Sequence, residues 1–201
     1  KEAVSFIERH AMVPFFLFVS YNAPHEPLQA PMEYERRYEH IDDPRRRTYA
    51  AMVSALDDGV GEVLAALRDN GLLESTLVVF LGDNGGVTAN GAMNGFRGKK
   101  STLYEGGIRV PFALQWIGAL PVGVRYEPQI SSFDIFPTIA AAAGAPLPDD
   151  RTYDGIDLLP FLHAPGGEVP HEQLFWRHFE ADSDSFAVRE QRLKLISQPT
   201  G

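Results

Sequence analysis

An uninterrupted apolar segment that stops at a glycine constrains the fold of this chain more than any other feature. Residues 77–81 have no polar position, which is the pattern of a strand buried on both faces. Gly82 ends the run, and Asp83 and Asn84 follow at once. In an open α/β sheet, ligands bind just beyond the carboxyl ends of the strands. We therefore expect these two side chains at the edge of a sheet where such folds carry out chemistry.

Asp83 and Asn84 allow two interpretations. A turn is one, because Asp and Asn before glycine tolerate the left-handed backbone region. A metal site is the other, because adjacent carboxylate and amide oxygens suit a hard cation such as Ca²⁺ or Mg²⁺. The Gly-rich segment 96–112 favours the metal site, since it would add positive charge for a tetrahedral oxyanion ester. Its cations are Arg97, Lys99, Lys100 and Arg109.

Two commoner anion-binding motifs are excluded. A phosphate-binding loop ending at Lys99 would need glycine at Met93 and Ser or Thr at Lys100. A dinucleotide fingerprint at residues 59–64 fails at Leu64, and it lies inside a helical pattern instead of between a strand and a helix.

Charge and length exclude several classes of partner. The 201 residues fit one domain or slightly more, and the net charge is −9, from 18 Lys and Arg against 27 Asp and Glu. This balance argues against general binding to nucleic acid or to an anionic membrane surface. No apolar stretch approaches the length of a transmembrane helix, and the absence of cysteine gives no information on redox compartment.

A second apolar run, residues 15–21, predicts another buried strand, and His25 follows its carboxyl end. Residues 48–70 carry a helical apolar stripe that Asn70 and Gly71 terminate. Strand, helix and strand in this order predict a β-α-β unit with parallel strands and a right-handed crossover. His25 would then lie at the same edge of the sheet as Asp83.

The rest of the chain predicts simpler elements. Residues 1–10 and 131–143 show helical patterns, with Asp134 expected to supply a negative charge at a helix start. Residues 112–116 predict a short strand, and residues 173–178, 185–189 and 193–196 predict antiparallel strands. We expect the charged segment 30–47 to be a solvated loop. Histidines without metal spacing are expected to be surface or packing residues; they are His163, His171 and His178.

The motifs at residues 81–86 and 98–111 resemble the second half of a sulfatase catalytic domain. The family is the formylglycine-dependent, arylsulfatase-like branch of the alkaline phosphatase superfamily, and the segment 104–111 is the more specific match. The resemblance implies an alkaline-phosphatase-like α/β/α sandwich with a mostly parallel sheet. It would occupy residues 1–145, and residues 146–201 would begin a smaller antiparallel C-terminal subdomain.

The resemblance also implies roles for individual residues in hydrolysis of a sulfate ester. Asp83 and Asn84 would bind calcium (or magnesium). Lys100 falls where the family has its sulfate-binding lysine, with Lys99 as the neighbouring alternative. His25 would contact the sulfate and protonate the leaving alcohol.

Two further residues of the matching segment receive a structural role. Glu105 and Arg109 are expected to hold the loop together without touching substrate.

The family's nucleophile is made from Cys or Ser in a Cys/Ser-x-Pro-x-Arg motif, which this chain lacks. Residues 197–201 imitate its beginning but have Gly201 in place of Arg. We therefore expect the formylglycine upstream of this chain. The expected substrate is a small-molecule or carbohydrate sulfate ester, and family analogy suggests a periplasmic or secreted enzyme. The alternatives are a phosphoester or phosphonate hydrolase of the same superfamily and a catalytically silent metal- or sulfate-binding fragment.

Overall fold

The computed structural model describes residues 1–87, 95–163, 167–180 and 183–197. They form two compact units, one over Lys1–Thr76 and a second that begins with Leu77–Val87 and continues from residue 95. No helix in these ranges is long and apolar enough to span a membrane. The predicted domain boundary between residues 145 and 146 stays a prediction. Of residues 197–201, which imitate the beginning of the nucleophile motif, positions 198–201 lie outside the described residues.

Helices make up the first unit. They are α1 (Glu2–Arg9), α2 (Met32–Glu35) and α3 (Pro44–Asp69), with short 3-10 turns at Arg36–Tyr38 and Leu73–Ser75. The predicted helices at 1–10 and 48–70 are thus confirmed. The side chain of Asp43 accepts a hydrogen bond from the Arg46 amide (3.1 Å), and α3 therefore begins several residues before the predicted start.

The expectation of a solvated loop at residues 30–47 is therefore partly wrong, since the segment holds α2, a 3-10 turn and the first residues of α3. Helix α1 packs on α3 and supplies Ile7, which is fully buried. The buried residues of α3 are Ala51, Met52, Ala66 and Leu67.

Residues 15–21 do not form the predicted strand. The segment has no ladder partner among the described residues, and Phe16 and Phe18 are 67% and 76% exposed. Exposure alternates along the segment, since Phe15, Leu17 and Val19 are half-buried. The apolar run indicated an extended backbone, but a strand also needs a neighbouring backbone to receive its hydrogen bonds.

A two-stranded sheet starts the second unit. Strands β1 (Val78–Leu81) and β2 (Phe112–Gln115) pair antiparallel, with Leu81 opposite Phe112. Both strands were predicted, but the expected parallel β-α-β unit is wrong for the described residues. Burial of β1 on both faces is also wrong, since Phe80 is 40% exposed. An apolar run gives the strand but not the neighbour or its direction.

The remaining elements of the second unit follow in chain order. They are α4 (Glu105–Ile108), a 3-10 turn at Ser132–Asp134, α5 (Ile135–Ala142), α6 (Leu159–His163), β3 (Gln173–Glu180), β4 (Ser183–Glu190) and β5 (Leu193–Ser197). Strands β3, β4 and β5 pair antiparallel in that order, as predicted. Arg189 lies opposite Leu174 on one side and opposite Lys194 on the other.

A fully buried carboxylate holds the start of α5. Asp134 accepts hydrogen bonds from the Ser131 amide (2.7 Å), the Ile156 amide (3.0 Å) and Nε2 of His171 (2.9 Å). The expected negative charge at a helix start is present, but its partners also come from two distant segments. Of the two roles expected for His171, surface or packing, the structure shows the packing role, with 11% of its side chain exposed.

Replacing Asp134 with Asn should lower the free energy of unfolding by about 3 kcal/mol, because an amide group would then face donors that need an acceptor. Urea unfolding followed by circular dichroism measures the change. Asp150→Asn is the matched control, because Asp150 is an exposed carboxylate paired with Arg151, and the midpoint should not move. An unchanged midpoint for D134N would show that the buried contacts contribute no net stability.

Candidate functional site

The β1–β2 pairing places Asp83 and Asn84 at the end of a strand. Gly82 donates its amide to the Pro111 carbonyl (3.0 Å), which continues the contact between the two strands by one residue beyond Leu81. Both side chains that follow are exposed. The position is therefore the one predicted, immediately after a strand, although the sheet is antiparallel there.

The turn after Asn84 lies directly against α4. Gly85 is buried and donates its amide to the Gly107 carbonyl (2.9 Å). A Cβ atom at Gly85 would lie 1.9 Å from the Gly106 carbonyl oxygen and 2.7 Å from the Gly107 Cα. Only glycine fits at this position without moving one of the two backbones.

The lysine-bearing loop lies against another part of the same helix. Gly106 donates its amide to the Arg97 carbonyl (2.8 Å). A tight turn follows, in which the Thr102 amide donates to the Lys99 carbonyl (3.0 Å) and the Thr102 hydroxyl donates to the same oxygen (2.7 Å). Ser101 has φ of 66°, the left-handed value that a type II turn requires at its third residue.

A backbone hydrogen bond joins the two loops. The Lys100 amide donates to the Gly86 carbonyl (3.0 Å), so the lysine loop and the Asp83–Gly86 turn touch each other as well as α4. Lys100 is half-buried, whereas Lys99 is exposed. Neither ammonium has an acidic partner within the described ranges.

The other cations of this segment pack on aromatic rings. The Arg97 guanidinium lies 4.0 Å from the centre of the Tyr104 ring, and that of Arg109 lies 4.8 Å from the Phe96 ring. These contacts orient both arginines within the loop itself, whereas neither lysine has a ring contact or an acidic partner in the described ranges.

Glu105 binds residues of the C-terminal sheet. Its carboxylate accepts hydrogen bonds from Arg189 (2.9 Å) and Lys194 (3.0 Å), and Arg109 lies 3.7 Å away. The structural role expected for Glu105 and Arg109 agrees with these contacts. The two partners on β4 and β5 were not predicted, because they lie 84 and 89 residues further along the chain.

His25 belongs to the first unit. Its ring Nδ1 lies 2.9 Å from the Glu26 carbonyl and donates to it, which leaves Nε2 without a partner among the described residues. The side chain is exposed, and Glu26 pairs with Arg45 at the start of α3. His25 lies in the first unit and Asp83 in the second, and the sharing of one site by these two residues stays a prediction.

Asp83 and Asn84 have the chemistry of metal ligands. The Asp83 carboxylate has no partner within the described residues, and Asn84 uses only its amide nitrogen, which donates to the Gly85 carbonyl (3.3 Å). Both oxygens are therefore available, and they are the hard donors that calcium and magnesium take. Across the described ranges no three His, Cys, Asp or Glu side chains gather at one point, so this pair would form part of a coordination shell.

Gly85→Ala should destabilise the protein by about 2–3 kcal/mol, because the added methyl group collides with backbone atoms of α4. Gly86→Ala is the matched control, because a Cβ there meets nothing within 4 Å, and its unfolding free energy should stay within about 0.5 kcal/mol. Thermal unfolding of both variants measures the difference. Equal stability of the two would contradict the close contact between the turn and α4.

The chain is similar to known sulfatases over most of its length. The family model described as Sulfatase matches residues 1–145. Human steryl-sulfatase is 36% identical over 183 residues, which are 87% of this chain and 30% of that protein. Human arylsulfatase A is 38% identical over 187 residues, covering 90% of this chain and 35% of that protein. The chain thus spans about a third of these relatives.

The fold is similar to that of a solved structure described as Ps i-CgsB in complex with k-i-k-neocarrahexaose. The TM-score is 0.93 at 35% identity, and the match covers 97% of this chain and 44% of that one. The structural neighbours are sulfatases with the alkaline-phosphatase-like fold, which confirms the predicted fold class. From its sequence motifs, the family model and these likenesses, we conclude that the chain belongs to the sulfatase family.

Proposed function

We propose that this chain forms the part of a sulfatase that binds the metal ion and the sulfate group, in an enzyme that hydrolyses R–O–SO₃⁻ to an alcohol and sulfate. The observation that carries the proposal is the hydrogen bond from the Lys100 amide to the Gly86 carbonyl. It places a lysine without an acidic partner in the described residues beside the turn that presents Asp83 and Asn84. Oxygen ligands for a cation and a positive charge for an anion thus lie on adjacent loops.

Lys100 is assigned to the sulfate oxygens. Its backbone is held on both sides, by Gly86 and by the turn that ends at Thr102, so the side chain starts from a fixed Cα position. A preorganised charge stabilises the negative charge that develops as the sulfur–oxygen bond breaks, without reorganisation during the reaction. Lys99 is exposed on the outer side of the same turn and is the weaker candidate.

His25 is assigned to the leaving alcohol. With Nδ1 donating to the Glu26 carbonyl, Nε2 is the nitrogen that can face the leaving oxygen, and it can donate a proton there when both ring nitrogens are protonated. Asp83 and Asn84 would hold the metal ion, which when bound supplies Lewis-acid chemistry at a sulfate oxygen. The formylglycine nucleophile is expected upstream of this chain.

The proposed substrate is a carbohydrate or other small sulfate ester. Support comes from relatives whose names state such substrates, among them canine N-acetylgalactosamine-6-sulfatase at 35% identity, and from the oligosaccharide in the Ps i-CgsB structure. By the same analogy the enzyme is periplasmic or secreted.

In the full-length gene product, Lys100→Ala should lower kcat/KM for 4-nitrophenyl sulfate by about 10²–10³-fold, because it removes one charge aimed at the transition state. Lys99→Ala is the matched control and should stay within about threefold. A reversed order would assign the role to Lys99. A wild-type protein that cleaves 4-nitrophenyl phosphate but no sulfate ester would overturn the proposal.

Calcium should raise the thermal unfolding midpoint of the full-length protein after treatment with a chelator, because a ligand that binds only the folded state stabilises it. In Asp83→Ala the rise should be lost, since the variant lacks a carboxylate ligand. Asp42→Ala removes an exposed carboxylate of the first unit and should keep the rise. A rise of equal size in D83A would place the metal elsewhere.

A further inference from the structure

We infer that Glu105, hydrogen-bonded to Arg189 and Lys194, positions the sulfate-binding lysine loop and the Asp83–Gly86 turn. Through this contact the C-terminal sheet stabilises the relative position of the two loops. This inference rests on the proposed function and adds three positioning residues to it. None of the three is assigned to touch substrate.

The first step is the contact between Glu105 and the sheet. Arg189 Nη1 and Lys194 Nζ each reach a different oxygen of the carboxylate, at 2.9 and 3.0 Å. All three side chains are largely buried, with 27%, 29% and 14% exposed for Glu105, Arg189 and Lys194. Charge-assisted bonds at this burial are stronger and less screened than surface ion pairs.

The second step concerns the two cations. Arg189 and Lys194 are directly opposite residues of β4 and β5, and like charges in that relation destabilise a sheet. A carboxylate between them removes the repulsion. The guanidinium is also fixed by a hydrogen bond from Nε to the Gln191 carbonyl (3.0 Å), and Lys194 Nζ lies 5.1 Å from the Trp176 ring centre. The sheet thus presents a preformed pair of donors to the carboxylate of Glu105.

The third step leads from Glu105 to the site. Glu105 is the first residue of α4, and the next two residues, Gly106 and Gly107, make the hydrogen bonds to the two loops. Gly106 donates to the Arg97 carbonyl, and Gly107 accepts from Gly85. A Cβ at Gly107 would lie 2.1 Å from the Thr102 carbonyl oxygen and 2.5 Å from that of Lys99. A shift of α4 therefore has to move the lysine turn and the Asp83 turn with it.

The same sheet contains a control for an ion pair without this connection. Arg177 on β3 and Asp184 on β4 pair at 2.8 Å, but 64% of the arginine side chain is exposed and no contact of the pair in the described ranges leads to α4. The neighbouring arginine holds the pKa of the Asp184 carboxyl below its ordinary value, as in any close ion pair.

The test uses kinetics of the full-length protein with 4-nitrophenyl sulfate. Glu105→Gln should lower kcat about tenfold, with folded fraction and secondary structure unchanged at the assay temperature, because the loops lose their fixed position. Lys194→Met should act in the same direction. The double variant E105Q/K194M should have a kcat no lower than that of the less active single variant, since both substitutions act through one contact. Arg177→Gln should keep kcat and KM.

A second readout does not depend on activity. Amide hydrogen exchange at Gly85, Lys100 and Gly106 should be about tenfold faster in E105Q than in the wild type, and unchanged in R177Q, because these amides make the hydrogen bonds that join the two loops to α4 and to each other. Wild-type kcat and exchange rates in E105Q would overturn the positioning role and leave the proposed function standing. A wild-type protein without sulfatase activity would overturn the proposed function, and the exchange rates would still decide the positioning role.

Discussion

Contact between backbones at glycines is the constraint on which the second unit depends. Gly85 of the Asp83 turn and Gly107 of α4 have no room for a Cβ atom, because carbonyl oxygens of neighbouring segments occupy that space. Side chains there would force the turn, the helix and the lysine loop apart. Since backbone groups do not change rotamer, such contacts fix relative position more firmly than packing between long side chains does.

Polar side chains from distant segments add to this constraint. Glu105 reaches two strands of the C-terminal sheet, and Asp134 gathers donors from the 3-10 turn, from Ile156 and from His171. Each carboxylate has several donors, so its burial does not leave an unpaired charge. The two networks hold the ends of short helices, which contribute little stability alone because few residues share the cost of starting a helix.

The two loops of the candidate site present different chemical groups. One loop presents carboxylate and amide oxygens at the end of β1, and its neighbour presents lysines, while the arginines of the same segment contact aromatic rings. Under the proposed function, a cation and a sulfate group would bind side by side without a direct ion pair between the protein groups that hold them. This arrangement agrees with membership of the sulfatase family.

The sequence by itself determined the local elements and the family. Helical stripes predicted α1 and α3, and segments 173–178, 185–189 and 193–196 predicted β3, β4 and β5. The motif at residues 104–111 identified the sulfatases, because short motifs depend on neighbouring residues.

Only the tertiary structure decided which distant groups meet. It left residues 15–21 without a ladder partner in the described ranges, turned β2 antiparallel to β1, and supplied Glu105 and Asp134 with partners 84, 89 and 37 residues away. Strand pairing and buried ion pairs depend on which backbones and charges come together in space, and the pattern of one segment carries no information on its partner.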